Sequence, residues 1–308
     1  MTFNIKDVQK PVPSCIAYME AGGMLGDHFL LYLHAKWLSI RYDMPLLCYH
    51  PTFPFVTDLK LYEKELDYEK VEHPLTEVLL SRKCPKPNRE GSVVYIVPYF
   101  PEVKWEYSSS NQFVHLFDVD WTDPEFRKIA FEMIAPRYPV SLLMPPKDKI
   151  SIALHARDWG PYDKGCYQLQ NPLKHPPFDY YGDALLKIIE MLPGKQLYCN
   201  VFTDAVNPKS VVDQITRKIP VGTKIEYRYR ENTNNGGSYV LDDFFSLFHY
   251  DILLRPASNF TIVPGLLHDY AIEVFPEGFS VYPDGKTVLI NRIGTKANKE
   301  MLLNLLNK

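Results

Sequence analysis

Short apolar runs alternate with amphipathic ones along most of this chain of 308 residues, and the alternation restricts the fold class more than any single motif does. Ser14 to Glu20 reads as a strand and runs into Ala21-Gly22-Gly23. From Met24 to Tyr42, Leu25, Phe29, Leu33, Trp37 and Ile40 recur every three to four residues, which is helical periodicity. Pro45 to His50 and Val93 to Pro98 read as further strands. A helix is expected after Asp123-Pro124, the aspartate as N-cap and the proline at the first helical position. Strands are predicted at 150–156, 196–203, 224–229, 251–255 and 270–275. Helices are predicted at about 179–191, 208–218, 239–249 and 259–268, with a closing helix from Thr295 to Lys308. Such an exchange of β and α units predicts an α/β fold, with parallel sheets covered by helices on both faces. Residues 51–90, rich in charge and proline, show no period, and Asn234 to Gly237 reads as a turn.

Pro136, Pro139, Pro145 and Pro146 crowd one stretch, and proline neither donates a backbone hydrogen bond nor continues a regular element. A linker is expected there. It divides the chain into domains at 1–147 and 148–308, with the last helix packing back on the first domain. A ligand site is expected at the C-terminal ends of the strands.

Charge narrows the function classes. With 34 basic against 37 acidic residues the net charge is −3, which speaks against nucleic acid or an anionic membrane as partner. One local basic pocket could still hold a diphosphate. Cys15, Cys48, Cys84, Cys166 and Cys199 are scattered without C-x-x-C spacing, so reduced, buried thiols are expected rather than a zinc site or a disulfide framework. The first residues lack an apolar signal-peptide core, and no run reaches the ~20 apolar residues of a membrane span. A cytoplasmic enzyme is the expectation, with the sequon at Asn259-Phe260-Thr261 unmodified.

Four constellations carry chemistry. In Ile150 to Gly160 an apolar strand ends in His155-Ala156-Arg157-Asp158. Arginine at such an end can make bidentate, charge-assisted bonds to a phosphate. It can equally pair with Asp158 or Asp163 and close a loop; spacing leaves both open. Tyr198 to Ala205 ends a second strand in Thr203 and Asp204, where Asp204 either caps the next helix, the commoner fate, or bonds a ligand hydroxyl. Leu241 to Asn259 runs from a helix with Asp242 and Asp243 to a strand end presenting Arg255, Ser258 and Asn259. The last two read as N-caps at a helix start that can also hold an anion. Gly22 to Phe29 is a glycine turn leading into Asp27 and His28, a weak signal by itself.

In their order, these pieces resemble the fucosyltransferase superfamily of α1,2-, α1,6- and protein O-fucosyltransferases. Gly26-Asp27-His28-Phe29-Leu30 is similar to the A-D-H-F-L that follows the family's N-terminal turn. His155-Ala156-Arg157-Asp158-Trp159 is similar to its H-L-R-I-G-x-D-W motif, in shortened form. Pro177 to Ile188, Val201-Phe202-Thr203-Asp204 and Leu241 to Asn259 resemble three later blocks, whereas residues 51–145 match none. The turn's asparagine and glutamine are absent here.

The resemblance implies two Rossmann-like domains facing a central cleft, the GT-B architecture. It implies inverting transfer from GDP-fucose to a glycan or protein hydroxyl, with no metal and no cofactor. By position, Arg157 would hold the β-phosphate and His155 would lie near the nucleotide. Asp243 would bond the guanine edge, and Ser258, Asn259 and Phe260 would surround the diphosphate. Gly23, Gly26, Thr203 and Asp204 complete the expected donor-binding set. Asp27, His28 and Glu20 are candidates for the general base by position only. Another nucleotide sugar as donor, or a binding protein without turnover, are the alternatives.

Overall fold

The structure, a computed structural model, describes residues 14–19, 24–49, 66–67, 76–80, 86–97, 119–158, 169, 171–231 and 239–308. The chain divides into two compact units, and the change from the first to the second falls at Arg137–Tyr138.

The first unit holds β1 (Cys15–Met19), α1 (Leu25–Arg41), β2 (Leu46–Tyr49), β3 (Leu66–Asp67), β4 (Thr76–Leu79), β5 (Val93–Val97) and α2 (Pro124–Ile134). The strand order is β3-β2-β1-β5-β4 with every pair parallel. Cys15, Ala17, Leu47, Val94 and Ile96 form one buried cluster on this sheet. α2 starts where the sequence predicts: Asp123 Oδ1 accepts from the N–H groups of Glu125 and Phe126, with Pro124 first in the helix.

The second unit holds β6 (Ile150–Ala156), α3 (Phe178–Met191), β7 (Leu197–Thr203), α4 (Pro208–Thr216) and β8 (Ile225–Tyr229). After these come α5 (Val240–Ser246) with a 3₁₀ turn at Leu247–His249, β9 (Ile252–Leu254), α6 (Asn259–Leu267), β10 (Ile272–Val281), β11 (Val288–Ala297) and α7 (Lys299–Asn307). The strand order is β11-β10-β9-β6-β7-β8. From β6 the chain winds outward through β7 and β8, then returns to β9 on the other side of β6. That reversal makes the ends of β6 and β9 a topological switch point, where open α/β sheets leave a crevice for ligands. β6 is buried along its whole length, as expected for a central parallel strand.

Two expectations need correction. The strand predicted at 270–275 continues to Val281 and turns back as β11, the one antiparallel pair of this sheet. Asp284-Gly285 makes the turn: Gly285 has φ +64°, and the Asp284 carboxylate accepts from the N–H groups of Lys286 and Thr287. Thr295 to Ala297 therefore belong to a strand, and the closing helix starts only at Lys299. That helix packs on its own unit. Leu305 joins the core of Ile150, Leu154 and Val274, and Lys308 Nζ donates to the Lys149 carbonyl at 2.8 Å.

The proline-rich stretch also differs from a free linker. Residues 139–146 carry no helix or strand, yet the Ser141 N–H donates to Asp242 (2.9 Å) and the Leu143 N–H to Ser246 Oγ (2.8 Å). Tyr250 in turn donates its hydroxyl to the Leu143 carbonyl at 2.8 Å. The stretch is a strap of the second unit, which is why the boundary precedes it.

Cys15 and Cys199 are buried free thiols, and burial pushes both upward, Cys15 to about 11. Cys84 and Cys166 lie outside the described residues. Among the described residues no helix is long and apolar enough to cross a membrane.

Candidate functional site

β6 delivers Arg157 at its C-terminal lip, where two bonds hold the backbone and a third engages the guanidinium. Ala156 stands opposite Thr203 in the parallel register of β6 with β7, so the residues just beyond those strands are neighbours. The Asp158 N–H accordingly donates to Asp204 Oδ1 at 2.7 Å, stitching the two strand tips together. The Arg157 N–H donates to the buried Tyr181 hydroxyl on α3 at 3.3 Å. Across the switch point, Arg157 Nη1 donates to Ser258 Oγ at 3.4 Å. The guanidinium therefore faces the start of α6.

Ser258 occupies the N-cap position of α6 in extended backbone, but its side chain makes no cap bond. Its carbonyl accepts from the N–H groups of Thr261 and Ile262, both at 2.9 Å, while the hydroxyl turns to Arg157. The expected capping by Ser258 is thus replaced by a contact with the arginine. Asn259 is the first residue of the helix rather than a cap. Asp204 is no cap either: Asn207 caps α4, its side chain accepting from Ser210 N–H, and Asp204 serves the β6 loop instead. Thr203 is buried and its Oγ1 accepts from the Ala205 N–H at 3.2 Å.

Burial dominates the electrostatics. It pushes the Asp204 carboxyl above its ordinary value, against the pull of the Arg157 guanidinium and the Asp158 N–H. It lowers His155 to about 3, helped by the positive charge of Arg157 and by His175. His155 is therefore neutral at physiological pH. Its ring packs 5.2 Å from Phe260 on α6, and Nδ1 lies 3.4 Å from Thr261 Oγ1.

Asp243, expected to bond the nucleotide, and Arg255, expected only at a strand end, both have protein partners. Asp243 is buried and paired with Arg230, Nε to Oδ1 2.7 Å, the guanidinium of Arg230 lying 4.5 Å over the Tyr239 ring. Arg255, read from the sequence as presented at a strand end, turns inward to Glu273. A partner 18 residues along in another strand is invisible to motif spacing.

Among the expected residues, His155, Arg157, Thr203, Asp204, Ser258, Asn259 and Phe260 converge at the ends of β6, β7 and β9. Gly26, Asp27 and His28 lie in the first turn of α1, next in the chain after the central strand of the first unit. Asp27 Oδ2 accepts from the Met24 N–H at 2.9 Å, closing the start of that helix, and His28 is buried. Gly23, Glu20, Trp159, Gly160, Asp163 and the turn at 234–237 lie outside the described residues.

Sequence reasoning missed one feature of the site. A concavity of about 380 Å³ opens beside Arg157, lined also by Asp158, His175, Phe178, Gln214 and Arg217. Arg217, exposed at the end of α4, brings a second guanidinium to it. Nothing in the sequence around Gln214 and Arg217 signals this, since α4 reads simply as an amphipathic helix.

No protein-family model and no curated protein sequence matches this chain. Solved structures do, and what they show is the fold: this α/β chain shares its architecture with a solved fucosyltransferase. The match that carries this statement is NodZ, an alpha-1,6-fucosyltransferase soaked with GDP-fucose. It is 13% identical over 92% of this chain and 99% of that one, with a TM-score of 0.52. A mutant of Arabidopsis thaliana FUT1 in complex with GDP is 13% identical over 87% of this chain and 72% of that one, at TM-score 0.49. POFUT1 in complex with GDP-fucose is 13% identical over 86% and 96%, at 0.41. The last two are too distant in shape to add to the argument.

Proposed function

We propose that this protein is an inverting glycosyltransferase that moves fucose from GDP-fucose to a glycan or protein hydroxyl, in the cytoplasm and without metal or cofactor. The observation that supports it is Arg157, mounted at the lip of β6 at the switch point and aimed at Ser258 and the start of α6. The shared fold with a fucosyltransferase is consistent with it.

The chemistry follows from charge. Breaking a sugar–phosphate bond leaves negative charge on the departing diphosphate. A fixed guanidinium and the helix start meet that charge without having to reorganise, which is how pre-aimed donors lower a barrier. In this reading Arg157 grips the leaving group, and Ser258, Asn259 and Phe260 surround it. Asp204 acts through the Asp158 N–H to hold the arginine's backbone in place. His155 is too weak a base for proton transfer at neutral pH and serves as a wall beside Phe260. Thr203 and Asp243 complete the donor side, and Gly23 and Gly26 allow close backbone approach. The acceptor hydroxyl must lose a proton, and Asp27 and His28 are the groups proposed to take it.

Arg157→Ala tests the reading directly. Transfer from GDP-fucose should fall by ~10²–10³, as for loss of one oxyanion-hole donor, with the circular dichroism spectrum unchanged. Transfer at the wild-type rate by a folded Arg157→Ala protein would refute the assignment.

A further inference from the structure

Arg255 and Glu273 form an ion pair deep inside the second unit, Nε to Oε1 2.7 Å, with 3% and 6% of the two residues exposed. Buried pairs are weak stabilisers, because desolvating two ions offsets their attraction, and apolar residues of similar volume often do as well or better. What distinguishes this pair is its placing. Arg255 is the first residue beyond β9 and stands three before Ser258. Its N–H donates to the Val274 carbonyl at 3.0 Å, and its own carbonyl accepts from the Tyr180 hydroxyl at 2.8 Å. Its guanidinium lies 5.0 Å over the Phe275 ring and donates through Nη1 to the Pro256 carbonyl at 3.2 Å. The Ala257 N–H donates to the Leu173 carbonyl at 2.7 Å. Residues 255, 256 and 257 are therefore all tied down just ahead of Ser258.

Glu273 meets α6 from its flank. A Cβ added at Gly265 would lie 2.6 Å from Glu273 Oε1, so the helix rests directly on this carboxylate. One charge pair thus bears on both the turn that feeds α6 and the body of α6.

We infer that Arg255 and Glu273 are positioning residues for the anion-gripping site, holding Ser258 and the start of α6 at the distance from Arg157 that a diphosphate needs. This rests on the nucleotide-sugar reading above. Neither side chain reaches the reacting groups. Both act through the helix, in the way that outer partners orient metal ligands, where their loss costs roughly 10–100-fold in affinity or activity.

The test replaces both charges at once, Arg255→Met with Glu273→Leu, so that no unpaired ion is left buried. Melting temperature, GDP affinity, kcat and KM for transfer, and amide exchange of residues 258–262 are compared with wild type. The expected result is a folded protein whose GDP dissociation constant rises and whose kcat/KM falls, each about 10-fold, with exchange at 258–262 accelerated by a similar factor. Wild-type GDP affinity together with wild-type exchange in the folded double variant would overturn the inference. A wild-type protein that binds no GDP would instead overturn the nucleotide-sugar reading, and the exchange comparison would still decide whether the pair holds the start of α6. Should the double variant not fold, Gly265→Ala, which displaces the Glu273 carboxylate and keeps both charges, should show the same loosening; unchanged GDP affinity and exchange there would refute it.

Discussion

The imidazole of His155 stands two residues before Arg157 and is 7% exposed, and its environment sets the sign of a pH effect. Burial first, then Arg157 and His175, lower its pKa from 6.5 to about 3, so the folded protein keeps it neutral where the unfolded chain would protonate it. The stability gained by staying neutral is complete above pH 6.5 and is lost as pH falls from there toward 3. Replacing His155 by Gln should flatten the acid limb of a urea-unfolding profile between pH 7 and 4 relative to wild type; parallel limbs would contradict this. Asp204 works in the opposite sense. Its carboxyl is raised by burial, so its contribution is present at low pH and declines as pH rises past 3.8, and comparing variant with wild type cancels it. At this scale the sequence exposed the polar residues at strand ends, Arg157 and Ser258 above all. It could not show what each one bonds. Asp204 reads from the sequence as a helix cap or a ligand contact; the cap is Asn207, and the bond of Asp204 to the Asp158 N–H is not visible there, because strand register brings together residues 46 positions apart.

Packing between elements is as specific as any contact at the site. On α3, a Cβ added at Gly182 would fall 2.9 Å from the backbone carbonyl of Ile215 on α4, with the Lys218 side chain at 3.4 Å. Backbone cannot swing aside as a flexible side chain can, so Gly182→Ala must push the two helices apart. An overpacked core contact of this kind costs about 1–3 kcal/mol, to be read from the shift in denaturation midpoint at constant slope. A cost near zero would mean that α3 and α4 are not held at this distance. Most elements were legible to within a few residues, since apolar period and proline or glycine punctuation are local signals. The β10–β11 hairpin was not. Pro276, Gly278, Pro283 and Gly285 break its apolar period, and β10 carries bulges between Pro276 and Phe279. Only Asp284-Gly285 marks it as a hairpin turn, and the leucines from Leu302 onward drew the helix prediction back over Thr295.

For the whole molecule the decisive measurement is which nucleotide sugars it binds. A ligand at 100 times its dissociation constant stabilises the folded state by about 2.7 kcal/mol, which in a domain of this size is a shift of several degrees. GDP and GDP-fucose should raise the melting temperature, UDP and ADP sugars should not, and Arg157→Ala should lose the shift. Stabilisation by UDP species alone would reassign the donor. The α/β class was readable from the exchange of strand and helix alone. The junction between units was not, because Ser141 and Leu143 are bound by side chains about a hundred residues downstream.

The bond from the Lys308 ammonium to the Lys149 carbonyl has a topological consequence. The lead-in to β6 and the far end of α7 meet at one spot, so the helix that closes the second unit is latched to the base of the strand that leads to Arg157. Fraying of α7 and loosening of the first residues of β6 should therefore go together, although 159 positions separate the two ends of this bond.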